Sequence, residues 1–413
     1  MLHATELLGA ETYDAQGHFV GRVKELFIEP ADQPNRIARM LLGRGQFQPL
    51  VARHDQVSFV APGTMRLSVE EKALEHYRPN EAWLAVRKDL LDQQVIDTSG
   101  RKVVRVNDID LAEQRTDGTV ELRVAQVDVG LTGAARRLLQ GLASPSMIRR
   151  IQEKLPTRLI LWEFVDLIES DPLRRVKLRI TSQKLEKLHP ADLADIMESL
   201  SPAERQAIVA SLDEETAAEA LAELDKRLTT QIVEKLDPEK AADIIEEMEP
   251  DQAADVLAEL APETSREVLR EMAGEEAQEV QELLRFEENS AGGMMNTDLV
   301  FVGEAATREE VVQWIRKRDV NLDQLDTVFL IDGQARLSGV VRLGRLLLAS
   351  PGQAMSELKA EQFVTVRPEA EDKEVFELFD KYGLRSLGVV DDVGHPIGAI
   401  TVDDVVTRMM NQL

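Results

Sequence analysis

Apolar residues recur every twelve positions through the middle of the chain, at Leu188, Leu200, Leu212, Leu224, Leu236, Met248, Leu260 and Met272. The residues four and three places before each anchor are nearly all apolar too: Ile196/Met197, Ile208/Val209, Ala220/Leu221, Ile232/Val233, Ile244/Ile245, Val256/Leu257 and Val268/Leu269. Offsets of three and four share one helix face. Proline stands two residues after the anchor at Pro190, Pro202, Pro238, Pro250 and Pro262, where it opens a helix without forfeiting a hydrogen bond. Ser201, Asp213, Asp225 and Asp237 precede that position as N-caps, and Ser201 with Glu204 spells a capping box. The pattern predicts short helices joined by tight turns. One such helix cannot bury its own face, so neighbours stack into an α-solenoid.

Both flanks repeat as well. The run LLGAETYDAQGHFVGRVKELFIE from Leu7 returns 83 residues later as LLDQQVIDTSGRKVVRVNDIDLA from Leu90. Asp14–Gly17 and Asp97–Gly100 fill the same slot, where Asp opens a tight turn and Gly closes it with a positive φ between β-prone runs. Two small β modules follow, with packing and turn residues rather than chemistry. Toward the carboxy end, LVFV at 299–302, TREEVVQWIRKR, VFLID and LSGVV correspond to FVTV at 363–366, EDKEVFELFDKY, LGVVD and PIGAI. Each half reads strand–helix–strand–strand–helix, and such halves pair across a pseudo-twofold axis. The fold class is multidomain α+β. The expected divisions are β modules over 1–80 and 84–130, a basic helical linker over 131–180, an acidic solenoid over 181–290, and the two paired modules over 291–350 and 351–413.

Composition sharpens the functional side. The 413 residues carry 75 Asp+Glu against 49 Lys+Arg, a net charge of −26, which opposes nucleic-acid backbone binding. Residues 181–290 hold −20 of this, against +1 over 1–180 and −7 over 291–413. Such crowding costs stability unless cations or a basic partner screen it. Cysteine is absent, which removes disulfides and thiolate chemistry and fits a reducing compartment. No run reaches the ~18 apolar residues of a membrane span, and the first residues lack a basic-then-apolar leader, so a cytoplasmic protein is expected. Residues 131–160 are basic, with Arg136, Arg137, Arg149, Arg150, Lys154 and Arg158 against Glu153. Leu138, Leu139, Leu142, Met147, Ile148, Ile151 and Leu155 sit there at helical spacing. Two readings stay open, a linker helix packed on the acidic solenoid and a peripheral contact with an anionic membrane face. Enzyme chemistry is not expected. The six histidines are scattered, no P-loop or nucleophile elbow appears, Gly43-Arg-Gly45 reads as a turn, and Asp391-Asp392 before Gly394 reads as a hairpin.

The twelve-residue repeats, ending in Arg285-Phe-Glu-Glu-Asn-Ser-Ala-Gly-Gly-Met-Met295, and the terminal Ile397-Gly-Ala-Ile-Thr-Val-Asp-Asp404 resemble the cytosolic part of the MgtE magnesium transporter family over about 181–413. The resemblance implies an acidic helical N domain followed by a tandem CBS pair. The amino-terminal modules resemble, less specifically, the PRC-barrel family. The family's transmembrane channel is expected after the second CBS module, and this chain ends at Leu413, so conduction by this chain alone is not expected.

In that family, carboxylates on the N domain and the CBS pair face each other and bound Mg²⁺ draws them together. Opposed carboxylates repel, and a hard divalent cation with oxygen ligands reverses the sign of the contact. Glu219, Asp251 and Asp255 fall on the family's N-domain acidic positions. On the CBS side Asp404 matches, but Lys373, Gly383 and Thr407 stand where the family has acids. An ammonium at Lys373 suggests a direct pair with Asp251 or Asp255 in place of the ion. CBS pairs commonly hold adenine nucleotide on a Gly-h-h-Thr/Ser-x-x-Asp pattern, complete here in Gly398, Thr401 and Asp404; the first module has Gly339, Arg342 and Arg345 instead. Thr401 and Asp404 also fit a capping box of the final helix, and both readings use the same atoms. The expected function is a regulatory or accessory protein, a homodimer through its CBS pair. It would bind Mg²⁺ or an adenine nucleotide and modulate a separate membrane cation transporter. The other reading is a scaffold that docks partners through the solenoid and the PRC-like modules.

Overall fold

Each copy of the amino-terminal repeat folds into the same series of elements. The computed structural model describes residues 2–116, 119–130, 158–168, 184–297, 299–317, 322, 325–360 and 363–411. They form two compact units, 1–216 and 217–413. In the first copy, strand Leu2–His3 and a helical turn, Ala4–Leu7, lead into strands Glu11–Tyr13, Phe19–Glu29 and Gln33–Gly43, then Leu50–Arg53, a 3₁₀ turn and Val57–Ala61. The second copy runs Leu84–Ala85, a helical turn at Val86–Leu90, Gln94–Asp97, Lys102–Arg105, Asp108–Thr116 and Thr119–Asp128, then Leu159–Leu161, a 3₁₀ turn and Val165–Leu167.

The copies are interlocked rather than side by side. The first strand of each pairs with the long strand of the other: Leu2 lies opposite Leu111 and His3 opposite Asp110, while Leu84 lies opposite Ile28 and Ala85 opposite Phe27. Arg36 pairs with Arg123 where the two copies meet in one twelve-stranded sheet. Exchanged carboxylates reinforce this. Asp108, fully buried, accepts from Thr5 N (3.3 Å), Thr5 Oγ1 (2.6 Å) and its neighbour Ile109 N. Glu25, which occupies the same place in the other copy, accepts from Arg87 N (2.7 Å) and Leu26 N (2.9 Å). Each acid caps the helical turn of the opposite copy, whose first N–H groups have no partner within the turn. Leu26, Ile28, Ile37 and Met40 from one copy and Leu90, Ile109, Leu122 and Val127 from the other fill one core. No packing boundary therefore falls at 80–84, because each half completes its sheet with the other's strand.

Two expectations need correction here. The second module does not end at 130, since Leu159–Leu161 pairs with Thr119–Asp128 and Val165–Leu167 with Gln94–Asp97. The helical linker read over 131–180 thus gives way to strand at 159–161 and 165–167; residues 131–157 and 169–183, with the basic amphipathic run, lie outside the described residues. The two turns also differ. Gly17 has φ +87°, but at the second turn the positive φ falls on Arg101, at 51°. Gly100 is needed for space: a Cβ there would sit 2.2 Å from Asp97 Oδ2, the carboxylate that folds over the turn to accept from Gly100 N.

The twelve-residue period becomes helices Pro190–Glu198, Pro202–Val209, Glu214–Ala222, Lys226–Val233, Pro238–Glu246, Pro250–Glu259, Pro262–Glu271 and Gly274–Leu283. Asp225 and Asp237 cap their helices, and Ser201 with Glu204 closes the capping box. In the first unit, Arg101 reaches Asp192 on the first helix at 2.9 Å. In the second unit each helix packs on the one two places along, Lys226–Val233 on Pro250–Glu259, and Pro238–Glu246 on Pro262–Glu271. Ile232, Val233, Ile244, Ile245, Leu257 and Val268 are buried, as are anchors Met248, Leu260 and Met272.

The carboxy-terminal halves repeat as the pattern predicts. Phe301–Gly303, Arg308–Lys317, Thr327–Ile331, Leu337–Arg342 and Leu343–Leu348 are matched by Thr365–Val366, Asp372–Tyr382, Ser386–Val390, Pro396–Thr401 and Val402–Asn411. Each half has a three-stranded sheet, its first two strands parallel and the last antiparallel.

Replacing Asp108 with Ala would leave the Thr5 hydroxyl and two backbone N–H groups buried without an acceptor, a loss of about 2–4 kcal/mol. Asp108→Asn should cost less than half as much, because its carbonyl still accepts. Urea unfolding followed by the fluorescence of Trp83 and Trp162 checks both.

Candidate acidic site between the helical and CBS regions

The junction after the last solenoid helix positions the site. Ala291 N donates to Ala370 O and Gly292 N to Pro368 O, each at 2.8 Å, and Asn296 pairs through its backbone with Ala399 in both directions. Two glycines permit this course. A Cβ on Gly292 would meet the Phe286 ring at 2.6 Å, and one on Gly293 would meet Glu287 O at 2.3 Å. Gly398 belongs to the same seam, since its missing Cβ is where Met295 Sδ and Asn296 O approach to 2.8 and 3.0 Å.

This seam brings the first turns of two helices together. Glu249 is the N-cap residue of Pro250–Glu259 and Asp251 lies in its first turn, while Asp404 lies in the first turn of Val402–Asn411. One carboxylate oxygen from each of Glu249, Asp251 and Asp404 lies within 4.8 Å of the other two. Helix N-termini favour nearby negative charge, yet three carboxylates at this distance repel strongly, roughly 3–4 kcal/mol per pair at an effective dielectric near 20. Glu249 Oε2 accepts from Asn296 Nδ2 at 2.7 Å. Asp404 Oδ2 accepts from Thr401 N (2.6 Å) and Thr401 Oγ1 (2.9 Å). Asp251 Oδ1 is closed off from solvent and has no hydrogen-bond partner.

Crowding and burial both disfavour the charged forms of these groups. Burial pushes the Asp404 carboxyl up to about 6, the Thr401 hydrogen bonds pull against it, and negative Glu249 and Asp403 push with it. Asp251 is held well above the ordinary range, by burial first and then by the charges of Asp404 and Glu249. The residues present fit a hard cation. Three oxygen donors converge, one is an orphan, and Mg²⁺–oxygen bonds of about 2.1 Å put opposite ligands about 4.2 Å apart.

Of the four residues expected to face the metal, the structure brings together Asp251 and Asp404. Asp255 is instead paired with Lys226 Nζ at 2.7 Å, and Glu219 is exposed and outside the cluster. The third carboxylate, Glu249, was not foreseen. Its signal was in the repeat: Glu occupies the N-cap slot held by Ser201, Asp213, Asp225 and Asp237, and its longer side chain makes no cap bond. The idea that Lys373 substitutes for the ion is overturned. Lys373 is exposed, and the ammonium that reaches Asp255 is that of Lys226. Gly383 stands where the family has an acid because it ends helix Asp372–Tyr382 in the left-handed region, φ 57°. Thr401 and Asp404 form the capping box of the last helix, and Gly398 seats the junction. Arg345 donates to Leu358 O and Lys359 O, a tie within the first CBS half.

An acidic helical array thus lies against β-α-β-β-α halves, with carboxylates at their contact. Residues 188–289 match the MgtE intracellular N domain and residues 355–411 the CBS domain. Over 125 residues the chain is 35% identical to the magnesium transporter MgtE of Thermus thermophilus, covering 30% of this chain and 28% of that one. With MgtE of Enterococcus faecalis the identity is 25% over 126 residues, with the same coverage. The chain therefore spans less than a third of the length of these curated relatives. Among solved structures it is similar to the cytosolic domain of the Mg²⁺ channel MgtE in complex with ATP, at 30% identity and a TM-score of 0.53, over 56% of this chain and 94% of that one. The soluble part of a magnesium transporter shares the fold at 23% identity and a TM-score of 0.53, over 56% and 91%. Residues 188–289 and 355–411 thus correspond to an MgtE-type N domain and a CBS domain. Among the described residues no helix is long and apolar enough to cross a membrane.

The raised carboxyls fix a pH dependence. An acid whose folded value exceeds its unfolded value binds its proton more tightly when folded. Its stabilising contribution is therefore full below about 4 and is lost as pH rises through about 6. Holding Asp404 near 6 rather than 3.8 corresponds to about 3 kcal/mol. In metal-free buffer, Asp251→Asn should therefore be more stable than wild type at pH 7.5 and nearly equal to it at pH 5, read by urea unfolding.

Proposed function

We propose that this chain is a magnesium-responsive regulatory module that acts on a membrane cation transporter from the cytoplasmic side. The observation that carries the reading is the Asp251 carboxylate, placed against Glu249 and Asp404 with an oxygen that no donor among the described residues satisfies. Mg²⁺, when bound, supplies two positive charges to oxygen ligands. Glu249 and Asp251 would hold it from the helical side and Asp404 from the CBS side, with Asn296 orienting Glu249 and Thr401 orienting Asp404. Because these carboxylates lie on two helices and repel without a counter-charge, their spacing is the quantity that reports the ion. Magnesium transporters among the relatives support the choice of ion and of target.

A nucleotide has a narrower footing here. A related cytosolic domain has been solved with ATP, but in this chain Thr401 and Asp404 cap a helix and Gly398 seats Met295. The assembly proposed is a pair of copies joined through the CBS halves. Leu347 and Leu348 on helix Leu343–Leu348, and Val406, Met409 and Met410 on helix Val402–Asn411, are exposed at equivalent places of the two halves.

MgCl₂ at about a hundredfold over its Kd should raise the melting temperature by roughly 5 °C, because a ligand that binds only the folded state stabilises it by mass action. Asp251→Asn should abolish that gain, and ATP without metal should give less. A rise with ATP alone that Asp251→Asn leaves intact would replace the magnesium reading with a nucleotide one. Leu348→Glu with Met410→Glu should convert the assembly to monomer by light scattering, with the magnesium response retained.

A further inference from the structure

The contact that carries the acidic site has a second end with a different charge balance. Lys226 Nζ lies 2.7 Å from Asp255 Oδ2 and 2.8 Å from Glu288 Oε1. Arg408, its side chain about one-tenth exposed, lies 3.0 Å from the same Glu288 oxygen. It also donates to the Glu288 carbonyl and, at 3.1 Å, to Asn289 Oδ1. Two cations meet two carboxylates, so this end is neutral, whereas the other end gathers the three carboxyl groups of Glu249, Asp251 and Asp404.

The elements tied by the neutral end matter. Lys226 begins helix Lys226–Val233, Asp255 is on helix Pro250–Glu259, Glu288 is on the junction, and Arg408 is on the last CBS helix. The junction is already fixed to the CBS side through Ala370, Pro368 and Ala399. The Lys226 ammonium therefore joins two solenoid helices to a backbone segment anchored on the CBS half. Burial pulls Lys226 down, but the hydrogen bonds and charges of Asp255 and Glu288 outweigh it and hold the ammonium above its usual value. Glu288 is held low by the hydrogen bond from Lys226 and then, against partial burial, by the charges and hydrogen bonds of Lys226 and Arg408. Each partner keeps the other ionised. Exposed pairs contribute little, but here a nearly buried Arg with three acceptors backs the exchange, and charge-assisted bonds of that kind are the strong ones.

We propose that Lys226 and Arg408 form a built-in latch that holds one end of the contact shut through Glu288 without metal, leaving only the Glu249–Asp251–Asp404 end to open and close with the ion. The second clause rests on the magnesium reading; the latch itself does not. Loss of the ion then loosens the contact at its acidic end instead of separating the two regions.

The absence of cysteine allows clean spin-labelling of the full chain at Glu263→Cys and Thr407→Cys, both exposed. Electron–electron distance measurements would compare the parent with Lys226→Gln and Lys226→Arg in EDTA and in MgCl₂. In EDTA the parent and Lys226→Arg should keep a dominant short-distance population. In Lys226→Gln its ratio to the long-distance population should fall about tenfold, the worth of one charge-assisted pair, and MgCl₂ should restore it. Identical distributions for the parent and Lys226→Gln in EDTA would overturn the latch. A Lys226→Gln variant that opens in EDTA and stays open in MgCl₂ would uphold the latch while rejecting the magnesium reading. Circular dichroism confirms that each variant is folded.

Discussion

Three carboxylates that cannot be comfortable together govern the second unit of this protein. Glu249 and Asp251 open one helix, Asp404 opens another, and the junction from Arg285 to Asn296 presses those two helix starts together. Helix dipoles and the donors of Thr401 and Asn296 offset part of the repulsion, but among the described residues no donor reaches Asp251 Oδ1. A contact built this way carries an electrostatic liability that a proton or a cation would relieve.

The rest of the seam explains why the liability persists. Gly292, Gly293 and Gly398 let the junction backbone lie where any side chain would collide, which brings the two helix starts close. The neighbouring network of Lys226, Asp255, Glu288 and Arg408 shows the alternative arrangement, in which the chain supplies its own cations and each charge has a partner. The same stretch of surface thus holds a satisfied end and an unsatisfied end.

In the first unit, carboxylates do the opposite work. Asp108 and Glu25 are buried and fully engaged, each capping a helical turn that belongs to the other copy of the repeat. Small β modules bury too little apolar surface to be secure alone. Exchange of the first strands and of these caps gives the two copies one core and one sheet.

Local periodicity was enough to specify the solenoid helices and the carboxy-terminal repeats, though not the strands at 159–161 and 165–167. The twelve-residue spacing located every solenoid helix, the Pro and Asp positions located their starts, and the strand–helix–strand–strand–helix series emerged twice, because these features depend on neighbours three or four residues away. The resemblance carried by Arg285–Met295 and Ile397–Asp404 pointed to the N-domain and CBS regions and to Asp251 and Asp404, which the structure brings together. What the sequence by itself did not determine was which charges meet. Asp255 and Glu219 are acids on helices of the same repeat as Asp251, yet one is paired with Lys226 and the other is exposed outside the cluster. Glu249 entered because its N-cap slot happens to lie beside Asn296. The strands at 159–167 return to a sheet begun before residue 130, and the cap of Thr5 comes from a residue more than a hundred positions away. Pairings of that kind are decided by how whole helices and sheets pack, since charge acts through space over a few ångströms and is indifferent to order along the chain.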